Sequence, residues 1–122
     1  VRKIACVVTA MALAGCGAEG VRDRPPEFVA TYDVPWERMT ICLQMNFEGL
    51  TVTPLINQRE KTAALVIAVT GIVAPGPTVA EYRIRQIDND DRSQVELRRR
   101  PGMVMTPSQW REVTDRCARS GA

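Results

Sequence analysis

Histidine is missing from all 122 residues. That absence removes Ser-His-Asp and Cys-His catalysis, and with it the imidazole ligands used by most zinc sites. A surplus of one charge is missing too: 16 basic residues stand against 14 acidic ones, a net of +2. A strongly basic nucleic-acid binder is therefore not indicated, and nucleic acid is not an expected partner. No glycine-rich phosphate loop, nucleophile elbow or metal-spaced cluster is present. No spacing singles out a carboxylate pair for acid–base work. Long apolar runs are lacking as well. Residues 4–14 (IACVVTAMALA) form a mostly apolar run of eleven, and 62–70 (TAALVIAVT) one of nine. Both fall short of the about 20 residues that cross roughly 30 Å of hydrocarbon. What remains is ordinary globular material, 45% hydrophobic and 25% charged, with the length of one domain.

The run at 4–14 has informative neighbours. Arg2 and Lys3 precede it, and the small residues Ala14 and Gly15 end it before Cys16. Charge, apolar stretch and small-residue cleavage site are the layout of a secretory signal peptide. Val1 stands where a translated start has Met; an alternative start codon accounts for it, and the chain then reads as a full precursor.

The tetrapeptide Leu13-Ala14-Gly15-Cys16 resembles the lipobox of bacterial lipoprotein precursors. The resemblance covers residues 1–16 only. It implies that the Cys16 thiol receives a diacylglyceryl group, that the chain is cut just before it, and that the new amino terminus is acylated. No other cofactor is expected. The plainer readings are an ordinary signal peptide, or a buried apolar helix with a chance cysteine. Several acyl chains, at about 0.8 kcal/mol per buried methylene, exceed the two-signal threshold for stable anchoring. The mature protein would then be held to the membrane without spanning it. Gly17 follows the cysteine where, in many Gram-negative bacteria, Asp marks retention in the inner membrane. The resemblance thus implies the outer membrane, with the domain on its periplasmic face.

Of the four cysteines, Cys6 leaves with the signal peptide and Cys16 carries lipid, so Cys42 and Cys117 remain. In an oxidising compartment a disulfide between them is the natural reading, against two buried reduced thiols. Removing residues 1–15 also removes Arg2 and Lys3, which levels the balance at 14 basic against 14 acidic side chains. Steering by net charge is then not expected.

Along the mature chain, residues 16–27 read as the lipidated cysteine and a flexible tether, polar and carrying Pro25-Pro26. The domain proper is expected over 28–122. Phe28, Ala30 and Tyr32 alternate as in a short strand. Val34-Pro35-Trp36-Glu37 opens a helix, with Trp36, Met39 and Leu43 on its inward face and Cys42 beside it. The stretch from Leu50 to Asn57 is strand-like, and Pro54 confines it to an edge or a bulge. Residues 62–70 have the composition of a central strand. From Thr78 to Ile87 and over 93–99 apolar and charged positions alternate, joined by a polar turn at 88–92. Thr106 with Gln109 is a capping-box pattern that starts a second helix, on which Trp110, Val113, Thr114 and Cys117 share a stripe. The order is strand, helix, four strands, helix. It predicts an α+β domain in which an antiparallel sheet of four to five strands packs against two helices.

Three candidate sites follow. Arg83, Arg85, Arg92 and Arg98-Arg99-Arg100 form a basic group, suited to anionic envelope components or an acidic partner. If the hairpin pairs residues whose numbers sum to 179, Arg83 faces Glu96 and Glu81 faces Arg98, a self-neutralised face. Arg99 and Arg100 stay unaccounted for and are the candidate anion or partner contacts. Asp88-Asn89-Asp90-Asp91 resembles the start of a calcium loop, but Ser93 and Arg99 stand where Gly and Glu are needed, so a hairpin turn is expected. Trp36 and Trp110 sit on apolar stripes, which favours core over a sugar platform. No metal site is expected. The function these features suggest is a non-catalytic binding or structural module of the cell envelope, a membrane-anchored lipoprotein. The alternative is an accessory subunit or inhibitor docking on a periplasmic or outer-membrane complex.

Overall fold

The structure, a computed structural model, describes residues 20–70, 77–88, 91–100 and 105–120. The signal segment and Cys16 lie outside them. The elements are β1 (Phe28–Tyr32), α1 (Trp36–Met45), β2 (Leu50–Asn57), β3 (Thr62–Val69), β4 (Thr78–Ile87), β5 (Arg92–Arg99) and α2 (Pro107–Ser120). The strands form one antiparallel sheet in the order β1-β5-β4-β3-β2. The α+β architecture and the five-stranded sheet are those read from the sequence.

Alternation along each strand builds the sheet's buried face. Leu65 and Ile67 of β3, Tyr82 and Ile84 of β4, and Val95 and Leu97 of β5 are all within 1% of full burial. Their companions on the helices are Met39 and Leu43 of α1 and Trp110 of α2. Side chains of this kind contribute about 1.5–3 kcal/mol each when fully buried. A register shift at Ile67 and Ala68 of β3 turns Val79 inward beside Ala80, so two successive β4 residues reach the core. Pro54 lies on β2, which is an outer strand, where a missing N–H costs least.

Local chemistry sets the helix ends. Pro35 is the residue before α1 rather than its first turn, and Glu37 supplies the acidic group there. Asn46 closes that helix, its Nδ2 donating to the Cys42 carbonyl at 2.7 Å. Gly49 follows with φ +79°, a left-handed turn that favours glycine. At α2 the capping box forms in full. The Gln109 N–H donates to Thr106 Oγ1 at 3.2 Å, and the Thr106 N–H donates to Gln109 Oε1 at 2.8 Å.

Cys42 and Cys117 are joined, their Cα atoms 5.7 Å apart, and the bridge ties α1 to α2 above the core. Beneath it sit three rings. Phe47 lies 5.2 Å from Trp110 and 5.9 Å from Tyr82, and the last two are 6.0 Å apart. The Tyr82 hydroxyl is 2.8 Å from Thr114 Oγ1, which donates to the Trp110 carbonyl at 2.9 Å. Trp36 and Trp110 are core residues, 4% and 0% exposed.

The chain's two tyrosines carry the clearest pH signature. Burial is the main reason the Tyr32 phenol is pushed from its ordinary 10.0 up to about 12, helped by the Asp115 carboxylate that accepts its proton at 2.7 Å. Burial pushes Tyr82 up as well. Between pH 10 and about 12 the unfolded chain therefore releases the Tyr32 proton while the folded chain keeps it, and stability falls as pH rises through that window. Below pH 10 the contribution is intact. Spectrophotometric titration at 295 nm should show little phenolate at pH 10.5 in the folded protein and a normal yield in urea. Equal yields would contradict the burial of both rings.

Candidate functional site

The second face of the sheet is built from the other half of the alternation. Its β2–β3 half is uncharged, with Thr53, Leu55, Thr62, Ala64 and Val66. Its β4–β5 half is charged, with Glu81, Arg83, Arg85, Glu96 and Arg98. Ala64 stands opposite Arg83, and Arg83 opposite Glu96; Val66 stands opposite Glu81, and Glu81 opposite Arg98. The pairing rule of 179 thus holds along the hairpin.

The ion pairs themselves do not run across the strands as that rule suggests. Arg83 Nε donates to Glu81 Oε2 at 2.9 Å, two residues along the same strand, and Arg98 Nη1 donates to Glu96 Oε1 at 2.6 Å. The cause is a third participant. Residues 20–27, read from the sequence as part of a flexible tether, lie against this face instead. Val21 is fully buried, yet it is no member of the main core. Arg22 Nε donates to Glu81 Oε1 at 2.8 Å, and Arg98 Nε donates to the Arg24 carbonyl at 2.9 Å. The Glu27 N–H donates to the Leu97 carbonyl at 2.6 Å, extending the β1 edge. Glu81 is left 3% exposed with both oxygens held by guanidinium groups. Such a carboxylate serves as a fixed counter-charge and as the anchor of the N-terminal segment.

Between the two halves runs a groove of about 390 Å³. Leu55, Thr62 and Ala64 form one wall, and Arg22, Glu81, Arg83, Arg85, Gln94 and Glu96 form the other. Arg85 Nε donates to Gln94 Oε1 at 2.8 Å. The groove thus sets an uncharged side beside one that mixes three arginines with two glutamates.

The other sequence candidates fall elsewhere. Arg99 is not an exposed cation: its side chain is 9% exposed and pairs with Glu27 at 2.5 Å. Its neighbour Arg100 is partly buried, its backbone N–H donating to the Val79 carbonyl at 2.8 Å. Alternation at the strand end turns Arg99 toward the side of Leu97, and the Glu27 carboxylate meets it there. Asp88 occupies a left-handed turn position, φ +55°, and its carboxylate accepts from Arg92 Nη1 at 2.8 Å; Asn89 and Asp90 lie outside the described residues. Among the described residues no group of three His, Cys, Asp or Glu is placed to hold a metal ion. Val21, Arg22 and the buried Glu81 are the site residues that sequence reasoning passed over. The one available signal is a lone valine, followed by arginines at 22 and 24, in an otherwise polar segment.

No family model matches the chain, and neither a curated protein nor a solved structure shows significant similarity to it.

Proposed function

We propose that this chain is a bacterial lipoprotein held by acyl groups on Cys16 at the periplasmic face of the outer membrane. Its domain works as a non-catalytic binding or structural module of the cell envelope. The observation that carries the reading is Leu13-Ala14-Gly15-Cys16, set behind an apolar run and a basic start. Two features agree with it. The Cys42–Cys117 bridge suits an oxidising compartment. No helix among the described residues is long and apolar enough to cross a membrane. The second reading, an accessory subunit or inhibitor docked on an envelope complex, draws on the outer strand β2, where Leu55 and Ile56 are each about half exposed.

Replacing Cys16 by Ser tests the anchor. The expected result is an uncleaved chain without the mass of diacylglyceryl and acyl groups, and loss of partition into the detergent phase. An unchanged lipid mass, or a variant that fractionates as the parent does, overturns the reading.

A further inference from the structure

The outer strand β2 has an uncharged free edge: its eight residues include no Lys, Arg, Asp or Glu. Sheet edges are ordinarily blunted by charge or by shortness, because their free N–H and C=O groups template another strand. The opposite edge follows that rule. β1 has five residues, and a two-fold axis at Ala30 would set Glu27 against the partner's Asp33. β2 is longer, leaves Leu55 and Ile56 about half exposed, and has Pro54 as its one guard.

The hydrogen-bond ladder fixes which groups that edge offers. The Gln86 N–H donates to the Lys61 carbonyl at 3.1 Å, so Tyr82 and Ile84 turn their backbone groups toward β3 and are met by Leu65 and Ala63. Ala64 and Val66 then turn toward β2, where Leu55 and Thr53 meet them. By alternation Val52, Pro54 and Ile56 point outward. The edge therefore presents the N–H groups of Val52 and Ile56, and at Pro54 a carbonyl alone.

A second copy suits this pattern in one register. With a two-fold axis at Thr53, Val52 stands opposite the partner's Pro54 and Ile56 opposite the partner's Leu50. The N–H groups of Val52 and Ile56 each meet a carbonyl. An axis at Pro54 sets two carbonyls face to face without a donor, and an axis at Val52 or Leu55 carries Ile56 or Val52 past the end of the partner strand. The axis at Thr53 also lays Leu55 beside the partner's Thr51. It brings Glu48 to the partner's turn at 58–61, where Arg59 and Lys61 outnumber Glu60. Glu48 and Arg59 are both exposed, and no ion pair within the described residues uses either.

The path of the N-terminal segment is compatible with the same symmetry. Antiparallel neighbours in one sheet are related by an axis perpendicular to it, so both copies turn the same face to the same side. Arg22 is paired to Glu81 on the second face, and the four peptide steps from Gly20 to Cys16 span at most about 14 Å. Both Cys16 residues therefore reach one bilayer.

We propose that two copies of this chain pair through β2, antiparallel about a two-fold axis at Thr53, so that their five-stranded sheets continue as one. The pairing stands on β2 itself; only its placement on a shared bilayer rests on the lipoprotein reading.

The test expresses the full chain in a bacterial host with Thr53→Cys, Leu55→Cys or Val29→Cys, and oxidises the isolated envelope. At the axis the two Thr53 positions are direct neighbours within reach of a disulfide, so Thr53→Cys should crosslink about tenfold faster than the other two. The same register sets the Leu55 positions about 14 Å apart along the strands, and Val29 lies on the far edge. Peptide mapping locates the bridge and intact mass counts the chains. Equal rates at Thr53 and Leu55, or at Thr53 and Val29, overturn the proposal, and so does the absence of a Thr53→Cys dimer. A product whose mass is not twice that of the chain places a foreign strand on β2 and also overturns it. Val52→Pro removes an outward N–H that the β2–β3 ladder does not use. It should weaken the dimer about tenfold, since symmetry deletes two hydrogen bonds at once, while near-ultraviolet circular dichroism stays that of the parent. An unchanged dimer in that variant contradicts the pairing. Acyl mass on Cys16 is read separately. Its absence removes the shared bilayer alone, and the crosslinking rates still decide the pairing.

Discussion

Removing the bridge with the paired substitutions Cys42→Ala and Cys117→Ala lowers the free energy of unfolding by about 4 kcal/mol. The closed loop spans a separation of 75 residues, and on the chain-entropy account a loop of that size stabilises by about that much. In a domain of this length the melting temperature should fall by about 20 °C, which calorimetry at neutral pH reads directly. On that account the loss arises in the unfolded chain, which regains conformational freedom once the crosslink is gone. Asn46 Nδ2 reaches toward Cys117 Sγ at 3.7 Å, but that weak contact depends on the sulfur itself. A shift of a few degrees or less would mean that packing of α1 and α2 on the sheet suffices without the crosslink.

Trp110→Ala should cost about 4 kcal/mol, in the range found when a buried aromatic ring is emptied. The ring is fully buried and contacts both Phe47 and Tyr82, so its removal opens a cavity beneath the bridge and strips two aromatic partners at once. Trp110→Phe is the informative companion. The indole Nε1 is buried with no hydrogen-bond partner among the described residues. Phenylalanine gives up volume but also relieves that unpaired donor, whose burial carries a penalty of about 1–3 kcal/mol. The phenylalanine variant should therefore lie within about 1–2 kcal/mol of the parent in urea denaturation. Equal losses for the two variants would show that Nε1 is satisfied in solution, for example by water.

Much of the fold is legible in side-chain order alone. The alternation of Ala80, Tyr82 and Ile84 with Glu81, Arg83 and Arg85 gives both the strand and its faces, and charge complementarity with Glu96 and Arg98 gives the register. Thr106 and Gln109 mark the start of α2 because their hydrogen bonds are local. Once residues 1–16 are read as a signal segment ending in a lipobox, Cys42 and Cys117 are the two thiols left to pair, without any knowledge of the sheet. The candidate site was harder to read for a physical reason. Its geometry depends on residues 20–24, whose polar composition resembles a linker, landing on strands more than fifty residues away. Composition reports whether a segment can build a core, and a segment that buries one valine and forms ion pairs falls below that threshold. The same blindness explains Glu81. Its alternation assigns it to the outer face correctly, but its burial comes from Arg22 and the segment above it.

The order of strands has a consequence for how the molecule is made. β2 to β5 are successive hairpins, so each meets its partner as soon as the next strand exists. β1 is the exception. Phe28 pairs with Leu97, and the segment ahead of it rests on Glu81 and Arg98. A polypeptide that appears amino end first must therefore hold its earliest strand idle until its last one arrives. Low-contact-order assembly of the meander comes first, and seating of the oldest residues comes last. Truncation anywhere before Ser93 leaves that leading strand without a template, and a protease that acts during the wait meets an unfinished edge.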